Sequence, residues 1–151
     1  MLKAVIICIL LSMTPVAELR AAMPVGVAMG LPPILLYIVC VAANLLPVPF
    51  IILFVRRVLS WMSSKGGKLA KAAEWVDSHA QKKLRIYYKY ELLGLFVLVA
   101  IPLPGTGAWT GALVAAILGL RLKHSMPAIA LGVAVAGILV MLLSLGIFGA
   151  V

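Results

Sequence analysis

Ile101-Pro102-Leu103-Pro104-Gly105-Thr106-Gly107-Ala108-Trp109-Thr110-Gly111 lies well inside an apolar run, Glu91–Leu120. Each proline removes a backbone donor and clashes with the preceding turn, so one continuous helix through this run is not expected. The arms on either side are about 10–15 residues, or roughly 15–22 Å at the α-helical rise. Such arms are too short to cross a bilayer comfortably and are the right length for a re-entrant hairpin. Irregular backbone is tolerated at membrane depth only where it is buried in protein or lines a wet cavity.

The first half of the chain has the same order of features. The run Lys3–Leu31 is interrupted by Thr14, Pro15, Glu18, Arg20 and Pro24. Each broken run is followed by an unbroken apolar stretch, Ile34–Val55 (22 residues) and Ser125–Ile147 (23 residues), and a crossing helix needs about 20. A shift of 89 residues places Pro15 on Pro104, Val25 on Val114, Gly30 on Gly119 and Leu31 on Leu120. Repeats of this kind mark transporter folds. Lys3 followed by Ala4–Leu11 also has the charged start and short apolar core of a secretory signal; placing the segment in the first hairpin accounts for more of its residues.

Composition points to the same solvent. The chain is 65% hydrophobic and only 11% charged, with a mean hydropathy of +1.22, whereas soluble domains are nearer half apolar and a quarter charged. The net charge is +9, and its location decides its meaning. A hairpin returns to the side it entered and a span crosses. All the basic residues except Lys3 and Arg20 then fall on one face, which the positive-inside rule makes cytoplasmic. Both termini are expected outside, the 59–89 loop inside, and the two hairpins enter from opposite sides as an inverted repeat. Nucleic acid is not an expected partner, because no binding motif accompanies the charge; anionic lipid is.

Within the loop, Leu69, Ala73, Val76, Ala80, Leu84 and Tyr87 recur at helical spacing, so residues 68–88 are read as an amphipathic helix on the cytoplasmic leaflet. Trp61, Tyr87, Tyr88 and Tyr90 flank it as interface anchors. Cys8 and Cys40 read as buried free thiols, and His79 and His124 as interfacial residues. No catalytic triad, paired carboxylates, nucleotide loop or metal spacing is present, so neither an enzyme nor a cofactor is expected.

Chemistry is expected where ionisable groups lie inside the membrane. Glu18 and Arg20 would face a cavity or each other. On a regular helix, two residues apart, they point to roughly opposite faces; in extended backbone they share a side. Thr14-Pro15 reads as a cap with proline at the first helical position, and Pro104-Gly105-Thr106 as the start of the matching arm. Both returning arms would then aim their amide ends at the midplane. With Arg20 added, the centre suits an anion, and Glu18 becomes a proton-carrying group. A cationic alternative has ionised Glu18 receive an organic cation stacked on Trp109. Asn44, Thr106 and Thr110 are hydrogen-bonding candidates for the broken backbone or a substrate. Gly26/Gly30, Gly107/Gly111 and Gly132/Ala136 are spaced to let helices approach closely.

The run Thr14-Pro15-Val16-Ala17-Glu18-Leu19-Arg20, followed by Pro24 and Gly26, resembles the first motif of the putative small multidrug export family, and residues 101–111 resemble its second. That family is similar to the wider DedA-type membrane proteins. The resemblance implies two re-entrant hairpins in inverted repeat, with Glu18 at the place of an acidic residue in the first hairpin. It further implies transport of drugs, or of polyprenyl-phosphate or other lipids. The arginines that DedA-type proteins carry around the second proline motif are absent, Ile101 and Gly107 standing near their places, and Arg20 supplies positive charge instead.

The expected architecture is an all-α integral membrane domain over residues 1–151. Repeat one covers 3–58, the cytoplasmic interfacial segment 59–89 and repeat two 90–149. The expected function is transport of an amphipathic, anionic substrate through a midplane site, with proton coupling at Glu18. That site would comprise Pro15, Glu18, Arg20, Asn44, Pro102, Pro104, Gly105, Thr106, Gly107, Trp109 and Thr110. The alternatives are a DedA-like lipid translocase or scramblase and a non-transporting membrane scaffold. Two hairpins and two spans enclose little volume, which makes a homodimer a natural arrangement.

Overall fold

The structure is a computed structural model that describes residues 1–65, 67, 71, 74–75, 78, 90–103 and 106–148. The described elements are helical: α1 (Leu2–Met13), α2 (Glu18–Ala28), α3 (Pro33–Leu45), α4 (Pro47–Ser64), α5 (Tyr90–Ala100), α6 (Ala108–Ile117) and α7 (Leu122–Phe148). The interfacial helix expected over 68–88 falls largely outside the described residues, as do Pro104 and Gly105.

The two apolar runs expected to break, Lys3–Leu31 and Glu91–Leu120, are each divided into two short helices, α1/α2 and α5/α6. The first break differs in detail from its expected form. Thr14 is the C-cap of α1 and not the N-cap of the returning arm; its hydroxyl donates back to the Leu11 carbonyl at 2.7 Å. The cause is Pro15, which holds the residue before it extended (Thr14 φ −76°, ψ 145°). Residues 15–17 form a turn, and α2 starts at Glu18.

The expected span Ile34–Val55 lies within a longer apolar helical stretch. It runs from Pro33 to Ser64, 32 residues, and its backbone stays helical through Leu46 (φ −58°, ψ −45°), whose N–H donates to Ala42 O just before Pro47. Pro47 has no N–H to continue the ladder but fits the first position of a new helix. The second long stretch, Leu122–Ile147, is uninterrupted. Both are long and apolar enough to cross a membrane, and only 28% and 44% of their most apolar windows is buried within the protein. Ile34, Ile38, Phe50 and Phe54 on one, and Leu131, Ile138 and Leu142 on the other, are exposed. Apolar side chains left outside the core in such numbers belong against lipid. The described residues are those of a helical membrane protein.

The 89-residue correspondence extends to hydrogen bonding. α2 stops with Gly30 at φ +73°, Gly30 N–H donating to Val27 O and Leu31 N–H to Gly26 O. α6 stops with Gly119 at φ +68°, Gly119 N–H donating to Ala116 O and Leu120 N–H to Ala115 O. Each is a Schellman stop, which places a glycine in the left-handed region and buries the residue after it; Leu31 and Leu120 are both buried. Burial follows the same offset. Ala22, Met23, Leu36, Cys40, Asn44 and Ile52 are buried, and so are Gly111, Ala112, Ser125, Ile129, Val133 and Met141.

The small residues divide by role. A Cβ on Gly26 would overlap Leu36, one on Gly111 would overlap Val99, and one on Gly132 would lie 2.7 Å from Val99 Cβ. These glycines bring α2 onto α3, and α6 and α7 onto α5. Gly30 has nothing within 4 Å of a Cβ position, so it serves the stop and not packing.

Candidate functional site

The two breaks meet, and the charges of the first satisfy the backbone ends of the second. Glu18 is 4% exposed. Its Oε1 accepts the Trp109 backbone N–H at 3.2 Å, one of the amides at the start of α6 that have no partner within the helix. Arg20 reaches the opposite pole of the same break. Its guanidinium donates to the carbonyls of Leu103 and Ile101 and to Thr106 Oγ1. Thr106 Oγ1 is itself 2.8 Å from Ile101 O and 2.9 Å from Leu103 O, so one hydroxyl and one guanidinium knit the segment that leaves α5.

A carboxylate at a helix start and a guanidinium at a helix end each complement the local partial charge. The expected anion hole at the start of α6 is therefore occupied by the protein's own Glu18. That corrects the expected charge balance, in which both arms offered free amide ends.

Glu18 and Arg20 reach the same neighbour although they are two apart because α2 does not start regularly. Glu18 has φ +49°, a region costly for a residue with a Cβ, and this turns its side chain toward α6. Gly107 makes room for it. Gly107 has φ +139°, and a Cβ there would overlap the carboxylate of Glu18. Glu18 and Gly107 are themselves 89 residues apart, so corresponding positions touch.

Beside this junction lies a cavity of about 600 Å³. Pro15, Val16, Ala17, Glu18, Arg20 and Ala21 form one wall; Pro102, Thr106 and Thr110 form the other. Of the expected site residues, Pro15, Glu18, Arg20, Pro102, Thr106 and Thr110 share this cavity. Gly107 is buried beneath Glu18. Trp109 contributes its backbone N–H, while its ring is not on the cavity wall and its indole Nε1 is buried without a hydrogen-bond partner; the stacking role expected for it does not fit this geometry. Asn44 lies behind Glu18, in a separate narrow gap.

Arg56 was expected only as part of the cytoplasmic charge. Its guanidinium donates to the Leu120 carbonyl, at the end of α6. Its place at the boundary of an apolar run, 64 residues from that carbonyl, gave no sequence signal for the pairing.

The family described as putative small multi-drug export protein matches residues 18–139, a span that begins at Glu18 and includes the cavity wall except Pro15, Val16 and Ala17. No curated protein and no solved structure matches the chain.

Proposed function

The chain belongs to the putative small multi-drug export protein family, and we propose that it is a transporter whose substrate site is the cavity between the two helix breaks. The observation that carries this is the coincidence of that cavity with Glu18 and Arg20. Charged side chains at membrane depth are costly and ordinarily mark a pathway or a site. In this reading α1/α2 and α5/α6 are re-entrant hairpins entering from opposite sides, the long helices cross, and the 59–89 segment is cytoplasmic. The paired stops at Gly30 and Gly119 and the matched burial support an inverted repeat. External labelling of cysteines placed at Ser64 or Ser78 in intact cells would overturn that orientation.

The substrate is an amphipathic molecule with an anionic group. Its apolar part contacts Pro15, Val16, Ala17 and Pro102, and its anionic group faces Arg20, Thr106 and Thr110. The anionic sign follows from Arg20 and the start of α2, since Glu18 already offsets the start of α6. Glu18 is the coupling acid. Ala17→Trp would fill the cavity without touching either staple and is expected to abolish substrate binding in a folded protein; unchanged transport would sink the cavity reading. Arg20→Gln should weaken binding of an anionic amphiphile more than Glu18→Gln does.

Two other readings stay attached to specific observations. Export of lipophilic cations is favoured by Glu18 on the cavity wall. It is the correct reading if Glu18→Gln is the more damaging change and quaternary ammonium compounds bind. A scaffold is favoured by the full engagement of both charges in holding the breaks together, and tolerance of both neutral variants in a transport assay would establish it. A DedA-like lipid-phosphate translocase is the lipid form of the anionic reading.

A further inference from the structure

Asn44 is 1% exposed, and neither its Oδ1 nor its Nδ2 has a hydrogen-bond partner. A buried amide in that condition is costly and calls for an explanation. It lies in α3, on a narrow gap shared with Glu18, Arg20, the Gly107–Ala108 backbone and apolar side chains of α5 and α7. The gap is too tight for a water molecule, so water does not satisfy the amide. Val99, Val133 and Ala136 offer it nothing. Arg20 is held by Ile101, Leu103 and Thr106. The remaining side chain with hydrogen-bonding capacity is Glu18, whose Oε1 takes one amide of α6 and whose Oε2 lies over Gly107.

We infer that Asn44 is the alternate partner of the Glu18 carboxyl, a positioning residue that receives the side chain when it is protonated. Ionised, Glu18 stays on the first amides of α6, where its charge meets the positive end of the helix. Protonation removes that attraction and creates an O–H donor that amides cannot accept. Asn44 Oδ1 is an acceptor with no competing claim on it. The left-handed backbone of Glu18 (φ +49°) stores strain in the capped arrangement, and leaving the cap gives a way to release it. The proton comes from water in the adjoining cavity and returns there when Glu18 recaps α6. Arg20, on the same helix, is the charged group facing Glu18 among the described residues of this gap; Asn44 from α3, Val99 from α5, the backbone from α6 and Val133 and Ala136 from α7 carry no charge. The exchange would free the start of α6 whenever a proton is bound.

This rests on Glu18 being the coupling acid, and the test separates the two ideas. The chain has four acidic residues, so the carbonyl band of a protonated Glu18 can be assigned by infrared difference spectroscopy of the reconstituted full chain across a pH titration. A band lost in Glu18→Gln is expected, moved to higher frequency in Asn44→Leu and restored toward its original position in Asn44→Ser, whose hydroxyl supplies a smaller partner. The midpoint pH of the band should fall in Asn44→Leu, because the protonated form has lost its acceptor. A Glu18 band whose frequency and midpoint ignore both Asn44 variants overturns the inference alone. The absence of any Glu18-dependent band at any pH overturns it together with the coupling role.

Discussion

The two breaks correspond in sequence position but divide their chemistry. The first, around residues 14–20, supplies the charges, and the second, around 101–109, supplies the bare backbone ends that those charges satisfy. At the point of contact one position carries a carboxylate, Glu18, and its counterpart, Gly107, carries no side chain at all. Two matched halves that meet at corresponding positions cannot both place a side chain in the same space. One half is emptied where the other carries its carboxylate. The divergence of Glu18 from Gly107, and of Arg20 from Trp109, is what lets two corresponding breaks pack against each other.

The sharpest way to break this comparison is to refill the emptied half. Gly107→Ala places a Cβ on the Glu18 carboxylate and forces alanine into a conformation suited to glycine. Strain of about 1–3 kcal/mol and loss of a charged hydrogen bond of about 1.5–3 kcal/mol should combine to a destabilisation of roughly 3–5 kcal/mol, read by denaturant unfolding in detergent. If steric exclusion by Glu18 is the cause, Glu18→Gly in the same chain should recover part of the loss. A double variant no better than Gly107→Ala alone would show that backbone strain is the whole effect.

Next in size is the other staple. Arg20→Gln removes a charge-assisted link to two carbonyls and a hydroxyl and should cost about 2–4 kcal/mol. Arg20→Lys keeps the charge but lacks the planar fork, so it should recover only part. Equal stability of the lysine and arginine forms would mean that charge alone holds the second break.

Much of this arrangement was legible. Prolines and glycines marked both breaks, because backbone chemistry is local; the Gly-Leu pairs at 30–31 and 119–120 marked matching positions, but their role as helix stops is visible only in the backbone geometry, and Gly30 has none of the packing role its spacing from Gly26 suggested. Glu18 and Arg20 stood out because charge in an apolar run demands an explanation. Their partners were not legible: no spacing rule links Arg20 to Leu103, and a pairing across two separate breaks is decided by packing. The start of α2 was misplaced because Thr14-Pro15 has the residues of an N-cap, while the extended backbone that Pro15 imposes on Thr14 ends a helix equally well. The idle amide of Asn44 is a tertiary fact with no sequence signature.

The two helix stops offer a gentler form of the same comparison. Both use a glycine and a buried leucine, but at the α6 stop Arg56 donates to the Leu120 carbonyl. Arg56→Gln should therefore cost about 1–2 kcal/mol, the range for a partly buried cation at a helix end. An unchanged stability would show that the carbonyl finds another donor.

The smallest effect should come from the α2 stop itself. Gly30 has φ +73° and open space around a Cβ, so substitution there meets conformational cost and no steric clash. For Gly30→Ala that cost is about 1 kcal/mol, since an L-residue in the left-handed region crowds its Cβ against the following carbonyl. Asparagine tolerates the same region because its short polar side chain bonds locally, so Gly30→Asn should lose only about half as much. The ranking matters more than the size. Asparagine above alanine at this site means that φ alone sets the requirement, as the two matched stops imply. Alanine equal to glycine would mean that α2 ends by another route, and the correspondence with Gly119 would then be one of sequence without a shared physical cause.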